Sequence, residues 1–386
     1  MTERPLVYII AGEASGDILG GRLMASLKEK NPDMVFAGVG GIKMEAEGLK
    51  SLFPMHELSV MGLTEIVPHI PRLMRRIRET VADILKRRPV VLVTIDSPGF
   101  SFRVAKKLKG KGIQLIHYVA PSVWAWKPGR ARKVAAFLDH LLTLLPFEPP
   151  YFEKEGLAAT FTGHPVVESD AGKGDGDAFR IRHGIDKGTP LITVLPGSRG
   201  GEVKALLPVF RETLNLLSRS LKDMRVVIPT IPHLKEKIIS ETADWPVKVL
   251  CIEGDDEKFS AFAASDVALA ASGTVSLELA MAETPAVIAY KVSPVTAWLA
   301  RRLLKTPYAS LINVVLEREA VPEYLQENCR AENLCEGLLK LLSDDQIRTR
   351  QIEDMNEALK RMGRDGPSPS GRAADTILEI LEATSM

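Results

Sequence analysis

The feature that most constrains this chain is a rhythm. Short runs rich in valine, isoleucine and leucine alternate with helical patterns: "LVYIIA" (6–11), "MVFAGV" (34–39), "VVLVTI" (90–95), "IQLIHYV" (113–119) and "HLLTLL" (140–145). Runs apolar on both faces need cover on both sides, so they read as strands of a parallel sheet with crossover helices. The rhythm stops at "VVESDAGKGDGDAF" (166–179), where glycine and charge suggest a linker. It restarts with "PLITVLP" (190–196), "MRVVIPT" (224–230), "VKVLCIEG" (247–254), "DVALAAS" (266–272) and "PAVIAYKV" (285–292).

At 386 residues the chain suits two domains, each with its own core. The expected class is α/β: two doubly wound Rossmann-like domains, 1–168 and 178–362, facing across a cleft. From about Ala331 the tail is helical, with a flexible break at "GRDGPSPSG" (363–371). The break gives the last helix, 371–386, the reach to pack back on the first domain or on a partner subunit. Open α/β sheets bind ligands at the carboxyl ends of their strands, so chemistry is sought in those loops.

Lys+Arg 50 against Asp+Glu 49 leaves a net charge of +1, so no global field draws the chain to nucleic acid or membrane. Anionic partners must be met by local basic groups. Cys251, Cys329 and Cys335 lack C-x-x-C spacing, which argues against disulfides and zinc and for a reducing cytoplasm. The apolar run in "MTERPLVYII" is too short for a signal peptide, and no segment is long enough to span a membrane. The histidines form no i, i+4 pair, and the only D-x-D, "DGD" (175–177), falls in the presumed linker. Neither metal nor cofactor is expected.

"TVLPGSRGGEVKALLPVF" (193–210) is the strongest local signal. Pro196-Gly197 turns the chain, Ser198 can cap a helix, and Gly200 and Gly201 bare its first N–H groups. Arg199 adds a planar fork suited to phosphate. A charge-assisted hydrogen bond is worth roughly 1.5–3 kcal/mol, and a helix end about 0.3–1. An ordinary strand-to-helix turn with a solvated arginine is the plainer reading. In "DVALAASGTVSLELAMAETPAV" (266–287), Ser272, Gly273 and Thr274 open a helix whose Glu278 can accept from ribose hydroxyls or simply favour the helix start.

Asp96, in "VTIDSPGFSF" (93–102), ends a buried strand, either as a helix N-cap or as a general base. "HYVAPSVWAWKPGRARKV" (117–134) mixes Trp124 and Trp126 with Lys127, Arg130 and Arg132, which suits sugar stacking or acyl contact beside a phosphate, or a packed surface loop. Residues 58–89 interleave Val60, Met61, Leu63, Ile66, Val67, Ile70, Leu73 and Met74 with Arg72, Arg75, Arg76 and Arg78. Apolar groups among arginines suit an anionic membrane interface, although half of them can be core.

Together the loops resemble a two-Rossmann (GT-B) glycosyltransferase, and more closely the bacterial lipid-A-disaccharide synthase family. "AGEASGD", "GVGG", "MGLTEI", "DSPGF", "YVAPSVWAWKPGR", "FTGHPV", "LPGSRGGEV" and "SGTVSLELA" occur in family order over nearly the whole chain. The resemblance implies an inverting transfer of 2,3-diacylglucosamine from its UDP donor to the 6-hydroxyl of 2,3-diacylglucosamine 1-phosphate (lipid X). The product is the β-1′,6-linked disaccharide of lipid A in the Gram-negative outer membrane.

Asp96 then matches the family's proposed base, Arg199 the arginine on the donor diphosphate, and Ser272–Thr274 with Glu278 the ribose and phosphate site. Asn313 falls at a donor-site asparagine, with Ile312 before it where the family pattern leads one to expect proline. Glu13, Ser15, Trp124 and Trp126 are the candidate acceptor contacts. Asp17 of "GEASGD" is expected only to favour the start of its own helix. Acylated substrates imply a cytoplasmic enzyme that reaches the inner-membrane leaflet through residues 58–89, as a monomer or homodimer. A UDP-sugar epimerase or hydrolase on the same scaffold, or a two-domain ligand-binding protein without activity, are the competing readings.

Overall fold

The computed structural model of the protein describes residues 4–58 and 63–385, the side chains of 63–69, 294, 295, 299–301 and 385 excepted. It contains two compact units: one runs to Pro165 and resumes at Met362, the other is Val166–Arg361.

In the first unit, β1 (Leu6–Ala11), β2 (Val35–Val39), β3 (Val91–Ile95), β4 (Gln114–Tyr118), β5 (His140–Thr143) and β6 (Ala158–Phe161) form one parallel sheet in the order β2-β1-β3-β4-β5-β6. Side chains alternate across a strand, and here both sides are covered. Tyr8, Ile10 and Leu92 enter the core on one face, while Val7, Ile9, Val91 and Val93 enter the core on the other. This is why the runs are apolar without interruption.

The second unit repeats the plan with β7 (Leu191–Leu195), β8 (Arg225–Pro229), β9 (Lys248–Ile252), β10 (Val267–Ala271), β11 (Ala286–Tyr290) and β12 (Glu323–Leu325), ordered β12-β11-β10-β7-β8-β9. Sequence reading did not find β6 or β12. Both are short sheet-edge strands, and their half-buried "AATF" and "EYL" lack a two-sided apolar signal.

Residues 166–179 are not a linker. They form single turns at Pro165–Glu168 and Asp170–Lys173 and then the Gly176–Arg182 helix, packed into the second unit. Gly174 serves close approach, since a Cβ there would lie 2.1 Å from the Phe259 carbonyl oxygen. Asp175 of "DGD" is the helix N-cap, accepting from the Ala178 N–H at 2.9 Å.

The helix Pro369–Ser385 returns to the first unit and lies against the helix Ala14–Lys30. Ala373, Ala374 and Ile377 share a core with Leu19, Leu23 and Leu27, flanked by a Lys30–Asp375 ion pair of 2.6 Å. The segment before it starts at Met362, whose carbonyl accepts from the His164 N–H at 3.0 Å, and Arg372 in the first turn of the helix anchors its other end. Arg372 donates to the Thr162 carbonyl and sits 5.7 Å from the centre of the Phe161 ring.

Candidate functional site

The strand order reverses between β1 and β3 in the first sheet and between β7 and β10 in the second. At such a reversal, connections leave in opposite directions and open a crevice beyond the carboxyl ends of the strands. The loops after these four strands are the ones carrying Glu13, Asp96, Arg199 and Ser272–Thr274.

After β3 the backbone takes two consecutive left-handed residues, Asp96 (φ 48°) and Ser97 (φ 45°). Each costs roughly 1–2 kcal/mol for an L-residue. Surroundings hold the loop there: Asp96 N–H donates to the Tyr118 carbonyl at 3.0 Å, and Ser101 Oγ donates to the Asp96 carbonyl at 2.8 Å. Gly12, from the loop after β1, makes room, because a Cβ there would fall 2.3 Å from Ser97 Oγ. Ser97, not Asp96, occupies the N-cap position of the helix Pro98–Leu108.

The Asp96 carboxylate makes no hydrogen bond among the described residues. It lines a cavity of about 240 Å³ with Phe102, His117, Ser122, Trp126 and Arg130. Val119 also lines this cavity and has positive φ (81°), as does Lys127 (49°), next in sequence to the lining Trp126. A β-branched residue there is a true outlier, and such strain gathers where the surrounding structure over-determines a site. His117 is buried, its pKa pushed down to about 3 by loss of solvation, and its Nδ1 pairs with Thr94 Oγ1 at 2.7 Å. It is therefore a neutral wall beside the carboxylate.

Asp17 does not serve its own helix. Its buried carboxylate accepts from the N–H groups of Gly41, Lys43 and Met44 at 2.8, 2.9 and 3.1 Å, capping the helix Ile42–Ala46. Glu13 stands half-buried at the N-cap of Ala14–Lys30, and Ser15 is exposed in the first turn. The two tryptophans divide. Trp126 lines the Asp96 cavity, with Lys127 and Arg130 at 4.5 and 5.9 Å from its ring. Trp124 is anchored structurally: Nε1 donates to buried Glu148 at 3.1 Å and the ring meets Phe147 edge-on. Burial pushes Glu148 up to about 7 against three N–H donors, from Trp124, Leu144 and Leu145.

In the second unit Arg199, not Ser198, is the N-cap of the helix Gly200–Ser220. Glu202 reaches back to accept from Ser198 and Arg199 N–H (3.2 and 3.4 Å) and pairs with the Arg199 guanidinium at 3.0 Å. This capping box holds the exposed arginine beside the open backbone of Gly200 and Gly201. Gly197 turns the chain at φ 107°. After β10, Ser272 Oγ donates to the Ala309 carbonyl at 2.9 Å, while Gly273 and Thr274 are exposed. Glu278 is raised by burial and lowered by Lys258, which lies 3.2 Å away. Sequence reading missed Lys258, which follows the acidic first turn "DDE" and carries no motif of its own.

Every hydrogen bond of the Asn313 side chain is made within its own unit. The residue is fully buried, its amide donates to the Val321 carbonyl (2.8 Å) and Glu323 Oε1 (2.7 Å), and its oxygen accepts from Ala320 and Val321 N–H. Glu323 also accepts from Ala309 and Ser310 N–H, so Asn313 shapes the segment on which Ser272 leans. Ile312 uses its N–H on the Ser310 cap, a bond proline would lack.

Of the membrane candidates, Val60 and Met61 lie outside the described residues, as do the side chains of Leu63, Ile66 and Val67. Leu73 and Met74 pack against the core. Arg76 is occupied by Glu57 (2.6 Å) and Glu79 (2.7 Å) and stacks on Phe53. Ile70, Arg72, Arg75 and Arg78 are exposed. Among the described residues no helix is long and apolar enough to cross a membrane, and no group of three or more His, Cys, Asp or Glu could hold a metal ion.

Two doubly wound parallel sheets, with glycine-, arginine- or carboxylate-bearing loops at their reversal points, make this the GT-B class of fold. The same architecture occurs in a structure described as the glycotransferase of kitacinnamycin (TM-score 0.66, 15% identity, 97% of this chain and 99% of that one). It occurs too in UDP-GlcNAc 2-epimerase from Neisseria meningitidis (TM-score 0.63, 12% identity, 98% and 100%), so the fold alone does not choose a reaction. Sequence identity does choose. The family described as Lipid-A-disaccharide synthetase matches residues 7–373. The Lipid-A-disaccharide synthase of Rhodospirillum centenum is 51% identical over 379 residues, covering 97% of this chain and 94% of that protein. The chain belongs to the lipid-A-disaccharide synthetase family of glycosyltransferases.

Proposed function

We propose that the protein joins UDP-2,3-diacylglucosamine to 2,3-diacylglucosamine 1-phosphate, with inversion, and that Asp96 is the general base. Asp96 takes the proton of the acceptor 6-hydroxyl as its oxygen attacks the donor anomeric carbon. The bond from that carbon to the diphosphate breaks, and UDP leaves with the electron pair. Arg199 and the N–H groups of Gly200 and Gly201 stabilise the diphosphate, with Gly197 and Ser198 shaping the turn. Ser272, Gly273, Thr274 and Glu278 bind the rest of the donor, and Glu13, Ser15 and Trp126 bind the acceptor sugar. No step calls for a metal.

The observation that carries this reading is the Asp96 carboxylate, held on a strained loop without a hydrogen-bond partner among the described residues, in a cavity shared with Trp126 and Arg130. A general base contributes about 10²–10⁴ in rate. Asp96→Asn should therefore fold, bind UDP normally and lose turnover by that factor in an assay of disaccharide product. Near-normal turnover would remove Asp96 as base, and UDP release without acceptor would favour a hydrolase or epimerase.

We further infer that residues 58–89 bring the enzyme to the cytoplasmic leaflet, supported by exposed Ile70, Arg72, Arg75 and Arg78. An arginine near an anionic surface is worth about 1 kcal/mol. Arg72→Gln with Arg75→Gln should thus weaken binding to anionic vesicles roughly tenfold or more; unchanged co-sedimentation would count against the contact.

A further inference from the structure

The helix Pro294–Leu303 follows β11 in the second unit and supplies none of the residues assigned above. Ser293 opens it, its Oγ accepting from the Thr296 N–H at 3.3 Å, and proline suits the first helical position because no N–H is needed there. Ala297 is buried and seats the helix. Among the described side chains three large apolar groups are turned to solvent: Trp298 is 54% exposed, Leu303 41% and Leu304 48%. The Arg302 guanidinium lies 4.0 Å above the Trp298 ring, and Lys291 and Lys305 are exposed nearby in sequence.

Charge narrows what can cover this face. From Lys291 to Leu316 the sequence holds Lys291, Arg301, Arg302 and Lys305 and not one Asp or Glu, in a chain whose charges otherwise balance. A second copy of the same surface would set like charges against each other. An anionic bilayer meets both needs, since tryptophan and leucine enter the headgroup boundary while long cationic side chains reach the phosphates.

We propose that residues 291–305 form a membrane-docking surface of the second unit, which takes an anionic phospholipid bilayer. Trp298, Leu303 and Leu304 insert, and Lys291, Arg302 and Lys305 meet lipid phosphates. The placement has a use. The chain returns from this helix to Ala309, whose carbonyl receives the Ser272 hydroxyl, so the docking surface lies one segment from the donor loop. The inference goes beyond the reading above, which puts membrane contact in the first unit, and does not depend on it.

The test uses the full chain, vesicles of phosphatidylglycerol or phosphatidylcholine, and acyl chains brominated near the headgroup. Phosphatidylglycerol vesicles should quench tryptophan fluorescence, and Trp298→Phe should remove that quenching even if residues 58–89 still bind. Arg302→Gln with Lys305→Gln should lower affinity for phosphatidylglycerol about tenfold or more and leave phosphatidylcholine binding unchanged. Turnover of detergent-dispersed substrates should be the same in both variants.

Quenching unaltered in Trp298→Phe, or unaltered affinity in the charge variant, would overturn the proposal. A raised donor KM in detergent would overturn it in favour of a substrate acyl-chain site. A dimer that dissociates in Trp298→Ser, seen by sedimentation velocity, would overturn it in favour of a second copy.

Discussion

Asp96 and His117 show how one carboxylate and one imidazole on adjacent strands come to differ. Asp96 leaves its strand in a left-handed turn that brings the carboxylate into the cavity, whereas His117 stays within β4 under the Phe102 ring, 4.7 Å between ring centres. Burial holds the imidazole neutral, from an ordinary 6.5 down to about 3. Above pH 6.5 the folded and unfolded chains both carry it uncharged. Below that, the unfolded chain takes a proton that the folded one refuses until about pH 3, so stability falls across this window. The slope is about 1.4 kcal/mol per pH unit for one such group. His117→Asn, which can keep the bond to Thr94, should make the loss of stability between pH 6.5 and 4.5 shallower by that amount, read from urea midpoints. Chemical type and strand-end position made Asp96 legible in sequence. The intramolecular partners of Asn313 and Trp124 were not legible, because polar side chains look alike in sequence whether they face a ligand or a carboxylate of the same chain.

At the scale of elements, apolar runs identified ten of the twelve strands, the eight inner ones because strands buried on both faces have no solvent face to vary. The segment 166–179 shows the limit of composition. Glycine and charge there mimic a flexible linker, yet the glycine is required by a backbone contact with Phe259 in the helix Asp255–Ala264. Gly174→Ala should destabilise the second unit by about 1–3 kcal/mol through overpacking. Gly188→Ala, with nothing within 4 Å of its Cβ and no positive φ, should be neutral or stabilising by up to about 1 kcal/mol. Thermal unfolding of the two variants compares them directly. In the helix Leu63–Arg87, sequence leaves open which of the interleaved arginines and apolar residues are core, and the folded element divides them. Met74 and Arg76 turn to the protein interior and Glu57, while Arg72, Arg75 and Arg78 remain in solvent.

For the whole molecule, the first unit is completed only by the last helix, which closes a core begun some 350 residues earlier. Removing a buried isoleucine side chain to alanine costs about 2–5 kcal/mol. Ile377→Ala should lower the unfolding transition of the first unit by that amount while the second unit, whose core lacks this residue, keeps its own; calorimetry resolving two transitions checks it. The rhythm of strands and helices, the two-unit plan and the ordered loop motifs were all determined by the sequence alone, because strand and helix periods and turn residues act over a few positions. Only the tertiary structure decided that Asp17 caps a helix 25 residues on, that Glu202 holds Arg199, that Lys258 faces Glu278 and that Asn313 is spent on Glu323. Those partners depend on packing: a polar side chain binds whatever the folded backbone brings within about 3 Å of it, and local sequence pattern does not carry that distance.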